Sequence, residues 1–361
     1  MCRIRIAFVA LLTFVCLGVH AQEGRLFWEG SLNYFFENNE YERSHFLRPN
    51  TTGGIWVTGT AGYVWDGNHS LRASVMGLKR QGMPEVLNAV EVSAYYQYQN
   101  DRFRFRIGAL PNRDVMKRYN DFFFTDSLRY HRPLFEGFTL EFRQPEVYDA
   151  TIWFDWSGMA TERQRESFQV GATARGMWRM LFADAKLRYF HYAGFNPAVA
   201  GSGVRDHGMV EGTLGLRGRH EWGGLTYEVG TGVLVGLEQD RSQGYAEGNF
   251  GWLSRLALQA YGLGTENTLY IGEPHFGLYP EWENQLYWGN QFLRGGKYLQ
   301  SKWYIQFIKG RGIDLRLAFT MHYSEGQLFH RQGLTATIDV PQGKWLKGRH
   351  KSLFPWLALF R

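Results

Sequence analysis

The sequence predicts a transmembrane antiparallel β-barrel, all-β, of about 16 strands (14–18 as the range) and without a plug domain. Three observations lead there. In Arg102-Phe103-Arg104-Phe105-Arg106-Ile107, charge and apolar bulk alternate with period two, so a strand sets three guanidiniums on one face and two phenyl rings with an isoleucine on the other. Only a wall between lipid and a wet interior suits both faces, and the same alternation recurs along most of the chain. Aromatic residues make up 17% of the chain at a mean hydropathy of −0.35, yet no apolar run after the N-terminal segment reaches the length of a spanning helix.

The N-terminus reads as a secretory signal. Arg3 and Arg5 precede the apolar run Ile6 to Val19, and Val19-His20-Ala21 offers small residues at the cleavage positions. Residues 1–21 are therefore assigned as a signal peptide and 22–361 as the barrel. Lipidation at Cys16 is disfavoured because Val15 is not a small residue. Cleavage removes both cysteines, so disulfides and thiolate chemistry are excluded. It also removes two arginines from a formal net charge of +6, leaving too little positive charge to suggest nucleic acid.

Strands are expected near 25–37, 53–65, 69–79, 88–99, 102–110, 134–143, 147–157, 166–177, 180–193, 207–220, 223–238, 247–262, 266–272, 296–310, 312–324 and 327–340. Asp66-Gly67-Asn68, Gln99-Asn100-Asp101, Glu221-Trp222-Gly223 and Lys309-Gly310-Arg311 have the composition of tight turns. Longer loops near 38–52, 80–87, 111–133, 193–206 and 273–295 are expected to alternate strictly with them, as periplasmic turns alternate with external loops. Leu353 to Phe360 is a candidate seventeenth strand, which an even-numbered barrel would not accommodate.

Parity assigns an inner face. Its candidate pore-lining residues are Arg72, Glu91, Arg102, Arg104, Arg106, Glu141, Arg143, Asp184, Lys186, Arg188, Arg217, Arg219, Arg255, Asp314 and Arg316. Basic groups outnumber acids among them, so a mild anion preference is expected, greatest along the 102–106 ladder. A barrel of this size is wide enough to hold water. The loop carrying Arg113, Asp114, Lys117, Arg118, Asp121 and Asp126 is the candidate constriction, although its Phe122-Phe123-Phe124 patch could instead meet lipid headgroups or a partner.

Chemistry-bearing motifs are sparse. Gly-x-Ser-x-Gly, His-Glu-x-x-His and a phosphate-binding loop are absent. Asp206-His207 reads as a solvated loop pair, and no metal or cofactor is expected. His322-Tyr323-Ser324 resembles the His-x-Ser pair of lipid A deacylases, outer-membrane barrels in which a strand histidine activates a serine two residues on. Glu325 stands where that family has asparagine, and parity places His322 and Ser324 on the lumen side, away from bilayer lipid. The expectation is accordingly no enzyme, with acyl hydrolysis by His322 and Ser324 as the minor alternative.

As a whole, the signal, the period-two strands, the turn and loop pattern and the near-terminal Phe360 resemble Gram-negative outer-membrane porins. That resemblance implies an outer-membrane location and passive diffusion of small hydrophilic solutes. Outer-membrane lipid and lipopolysaccharide are the implied surroundings, with a homo-oligomer or an envelope protein as candidate partner. The alternative is a non-conducting structural or assembly barrel that presents loop rings such as Tyr279, Trp282, Tyr287 and Trp288 to envelope components.

Overall fold

The computed structural model describes residues 24–199, 202–220, 224–310 and 312–341. The expected signal at 1–21, the turn at 221–223 and the tail strand at 353–360 lie outside the described residues.

The chain forms strands β1 (Arg25–Glu40), β2 (Asn50–Trp65), β3 (His69–Arg80), β4 (Ala89–Gln99), β5 (Phe103–Pro111), β6 (Leu134–Gln144), β7 (Tyr148–Gly158) and β8 (Ser167–Trp178). It continues with β9 (Leu181–Tyr192), β10 (Arg205–Arg219), β11 (Thr226–Asp240), β12 (Tyr245–Ala260), β13 (Leu263–Gly272), β14 (Lys297–Gly310), β15 (Ile313–Ser324) and β16 (Gln327–Pro341). Each strand pairs antiparallel with its sequence neighbours, and β1 pairs with β16 from Glu29 opposite Pro341 to Glu40 opposite His330, closing the barrel. Every expected strand is present, with ends shifted by a few residues. The even count follows from this closure, which leaves no free edge.

The outer surface explains the composition. Val92, Leu214, Leu71, Val75, Val210 and Leu187 point outward and are exposed. A soluble monomer rarely shows continuous apolar surface of this extent, whereas hydrocarbon requires it. At the short-turn end, Trp65, His69, Tyr96, Tyr98, Phe103 and Phe142 stack ring against ring on the same outer face, as an interfacial girdle does. No helix among the described residues is long and apolar enough to cross a membrane.

Turn chemistry sets the hairpins. Asp66 and Gly67 both have positive φ (49° and 71°), the conformation that matches right-handed strand twist. Glu325 and Gly326 do likewise (56° and 74°) between Ser324 and Gln327. That turn lies at the long-loop end, as does the four-residue connection 241–244, so short and long connections do not alternate strictly. Arg102 also departs from expectation. It lies in the β4–β5 turn, exposed, rather than on the strand wall with Arg104 and Arg106.

Candidate functional site: an occluded lumen and a lipid-facing rim cluster

Residues 112–133 fold into the barrel. The backbone N–H of Asn112 donates to Pro133 O at 2.9 Å, closing the base of the loop, and a short helix Arg113–Met116 turns it inward. Val115, Met116, Tyr119, Phe122, Phe123 and Phe124 are all buried, packed with Trp153, Phe190, Leu253, Tyr270 and Tyr298 of the wall. Burying each such side chain favours the inward position by roughly 1.5–3 kcal/mol. The phenylalanine patch therefore meets the barrel interior, and neither headgroups nor a partner. Trp153 Nε1 donates to the Tyr119 hydroxyl at 2.9 Å, and that hydroxyl donates to Leu187 O at 2.8 Å.

A second loop, 273–296, lies over the first. Phe276, Leu286, Tyr287, Phe292 and Leu293 are buried. Glu238 on β11 anchors it, accepting from the Phe276 N–H and the Tyr287 hydroxyl, each at 2.5 Å. The loops meet through Thr125 N–H to Trp288 O and Asn290 N–H to Asp121 O, both 2.9 Å. Gly289 permits this crossing, because a Cβ there would collide with the Phe122 carbonyl. Tyr287 is thus an interior anchor, not a ring offered to envelope components, and Trp288 joins the interior cluster half-buried. In this conformation the two loops pack the long-loop half of the lumen, so an open water-filled bore is not what the described residues show.

Wall charges are largely matched by acids. Arg104 binds Glu141 (2.6 Å) and Asp114 (3.2 Å), and Arg106 binds the same two at 2.8 and 3.2 Å. Arg118 joins Glu141 at 3.1 Å, and Lys117 joins Asp114 at 2.8 Å. Buried Glu211 collects Lys186 (2.7 Å), Arg255 (2.5 Å) and Asn120 (2.6 Å). Asp184 pairs with Lys186 and Arg175, Arg316 with Glu266, Arg72 with Glu29 and Arg217 with Glu146. Asp314 accepts from Gln306, and Arg113 reaches Asn33 and Thr337. Glu91 is half-buried, while Arg143 and Arg219 are exposed near the short-turn mouth. The guanidinium of Arg188 differs from these, being fully buried over the rings of Phe124, Phe190 and Trp288, with no hydrogen-bond partner for either terminal nitrogen among the described residues.

Loop carboxylates fasten the inward loop to the wall. Asp126 meets Arg331 at 2.8 Å and Lys302 at 3.3 Å, while Asp121 accepts from Gln300 at 3.0 Å. Burial opposes the charge on Asp126, but Lys302 and Arg331 hold its carboxyl well below the usual range. Burial and the neighbouring Asp126 charge push Asp121 upward. Asp114 is lowered against its own burial by Lys117 and Arg106. Burial alone brings His275 down to about 4, and neither ring nitrogen has a partner among the described residues.

His322 and Ser324 share the inner face, as parity requires, yet they form no dyad. The two ring nitrogens of His322 are engaged by Tyr298 (2.6 Å) and Tyr41 (3.3 Å), and Ser324 Oγ donates to Phe292 O at 3.3 Å. The reading of Asp206-His207 as a solvated loop pair also fails. Both residues lie on β10 and face opposite sides. His207 is buried inside against Phe276 and Tyr287. Asp206 faces outward near the long-loop end, opposite His191 of β9. There Asp206 Oδ1 lies 2.7 Å from His191 Nδ1 and accepts from the Tyr189 hydroxyl at 2.6 Å, while Arg241 Nη2 holds Oδ2 at 2.7 Å. Phe168 stacks on the imidazole at 4.7 Å. Sequence reasoning missed this cluster because its members lie on three strands and one turn, joined only by register.

Three comparisons bear on these findings. Outer membrane protein opdK of Pseudomonas aeruginosa superposes with a TM-score of 0.50 at 11% identity, covering 88% of this chain and 99% of that one. OpdL of the same organism gives 0.51 at 13% (89% and 99% covered), and OccK8 (OprE) gives 0.50 at 11% (88% and 98%). At these identities the likeness is one of fold, and with the apolar outer belt it makes this a porin-like barrel of the Gram-negative outer membrane. No curated protein matches. A family model described as Lipid A 3'-O-deacylase-type matches residues 19–279. The expectation of no enzyme is thereby corrected, since the family is named for an enzymatic activity. The match ends before His322 and Ser324, so it does not rest on that pair. By a match spanning β1 to β13, this chain belongs to the Lipid A 3'-O-deacylase-type family.

Proposed function

We propose that the barrel is a gated passage for small hydrophilic solutes, closed here by its two inward loops. The observation that carries this reading is the location of the barrier. It is built from residues 112–133 and 273–296, while the strand wall behind them is lined with charged and polar side chains. A 16-strand wall is wide enough for an aqueous bore once such loops move. A mild anion preference belongs to the same proposal. It draws on Arg102, Arg143 and Arg219 at the exposed mouth rather than on Arg104 and Arg106, whose charge Glu141 and Asp114 match. Planar-bilayer recording tests the passage. The parent protein should open rarely, and a variant with residues 113–131 replaced by a short Gly-Ser linker should conduct steadily. A folded linker variant that carries no current refutes the reading.

A second reading is favoured by the rim cluster together with the family match. Asp206 fixes Nδ1 of His191 and leaves Nε2 without a partner among the described residues, the orientation a general base requires. Facing the outer leaflet, it would activate water against an acyl ester of a membrane lipid. Mass spectrometry of lipid A from cells with and without the protein tests this. Acyl loss that depends on His191 supports it, and unchanged acylation refutes it.

A further inference from the structure

We infer that the β3–β4 loop, residues 81–88, is a membrane anchor whose apolar side chains enter the acyl chains of the outer leaflet. The inference holds whatever the lumen does. Val86 is 85% exposed, and Met83 and Leu87 are about half exposed, so three large apolar side chains crowd one short loop. Their placement ties them to the lipid-facing wall. Leu87 lies over Gly77, where a Cβ would meet its two methyl carbons at 3.2 and 3.8 Å. Gly77 shares the outward face of β3 with Leu71 and Val75. It stands in register with Val57 of β2 and Val90 of β4, both exposed on the same face. Leu87 therefore continues the apolar belt upward rather than starting a separate patch. Lys79, also on the outward face by parity, donates from Nζ to Met83 O and, at 2.6 Å, to Glu85 O. Those bonds hold the loop down against the lipid side of the wall.

Backbone bonding and charge both select hydrocarbon as the occupant. Irregular backbone cannot lie deep in a bilayer, so only the side chains enter, while the backbone rests at the acyl boundary with little water to serve it. Much of that backbone is served from within. The 83 and 85 carbonyls accept from Lys79, and Pro84 has no N–H to satisfy. The Gln81 N–H donates to Gly53 O at 2.9 Å, the Asn88 N–H to Leu78 O at 2.7 Å and the Arg80 N–H to Asn88 Oδ1 at 2.6 Å. Gly82, at a φ of 75°, makes the reversal that folds the loop back. A segment that met anionic headgroups would carry free lysine or arginine. Residues 81–88 contain neither, and the Lys79 ammonium is engaged by the loop's own carbonyls. Their one formal charge is the Glu85 carboxylate, which accepts from Asn88 Nδ2 at 3.0 Å. A carboxylate stays at the polar boundary, which keeps the insertion shallow.

The test uses the full chain with Cys2→Ser and Cys16→Ser, so that a nitrobenzoxadiazole label at Val86→Cys is unique. The protein is reconstituted in dioleoylphosphatidylcholine vesicles, with folding judged by heat-modifiable gel mobility. Lipid brominated high on its acyl chain should quench the label at least twofold more than lipid brominated near the chain end. Iodide, present on both sides of the membrane, should quench it at least fivefold less than a label at Glu162→Cys, an exposed position in the β7–β8 loop. With the label moved to Met83→Cys, Val86→Asp should raise iodide quenching to the level seen at position 162. Should Val86→Cys fail to fold, Met83→Cys takes its place with the same quenching expected. Iodide quenching at 86 equal to that at 162, in folded protein, overturns the proposal. So does protection from iodide without quenching by brominated lipid. If that protection disappears when protein is diluted in lipid, the loop contacts a second copy of the chain instead.

Discussion

Acidification should loosen the loop barrier, with His275 as a principal cause. Its ring is 1% exposed, both nitrogens lack partners among the described residues, and it packs beside Tyr270 and Phe276. Burial lowers its pKa from 6.5 to about 4. A released loop would expose the ring to water and restore the higher value. The undocked state then binds the proton first as pH falls, so docking is fully stabilised above about 6.5 and weakens progressively down to about 4. The difference corresponds to about 3 kcal/mol, or a roughly 300-fold change in the closed-to-open ratio below both values. At pH 5 the expected change is about 30-fold, close to 2 kcal/mol. Open probability in planar bilayers at pH 7 and pH 5 measures it directly. His275→Leu should remove most of the response. Equal open probabilities at the two pH values, or an undiminished response in folded His275→Leu protein, would refute the assignment.

Three further outcomes are expected. Asp126→Asn deprives Lys302 and Arg331 of a shared carboxylate, and with charge-assisted bonds of about 1.5–3 kcal/mol each it should raise open probability at least tenfold at pH 7. Glu211→Gln leaves half-buried Arg255 without its carboxylate and buried Lys186 with Asp184 alone, and should lower barrel stability by about 3 kcal/mol, measured as the denaturant midpoint for loss of heat-modifiable mobility. Ser324→Ala should leave lipid A acylation unaltered because its hydroxyl serves Phe292 O, whereas His191→Gln should abolish any acyl cleavage the parent performs. A mass-spectrometric profile in which the serine variant alone loses cleavage would reverse that assignment.

The strand ladder was legible in the sequence because it is a local property. Period-two alternation in segments such as Arg104-Phe105-Arg106-Ile107 follows from the pleat, and every strand it marked is present. Parity likewise placed Lys186, Arg188, Glu211, His322 and Ser324 on the inner face without any knowledge of partners. What each inward group then does depends on chain remote in sequence. Arg106 is matched by Glu141 through the β5–β6 register, Lys302 by Asp126 through the infolded loop and His322 by Tyr41 through barrel closure. The loops themselves carry no periodicity, so nothing local distinguishes Phe122-Phe123-Phe124 as a plug from the same residues as a docking patch. Burial against Trp153, Tyr270 and Tyr298 decides it. The outward His191–Asp206 contact has the same origin, since antiparallel register sets residues from two strands opposite one another on the lipid side. Local sequence fixed the wall and its two faces, and long-range closure decided which charges are spent on structure and which are left to act.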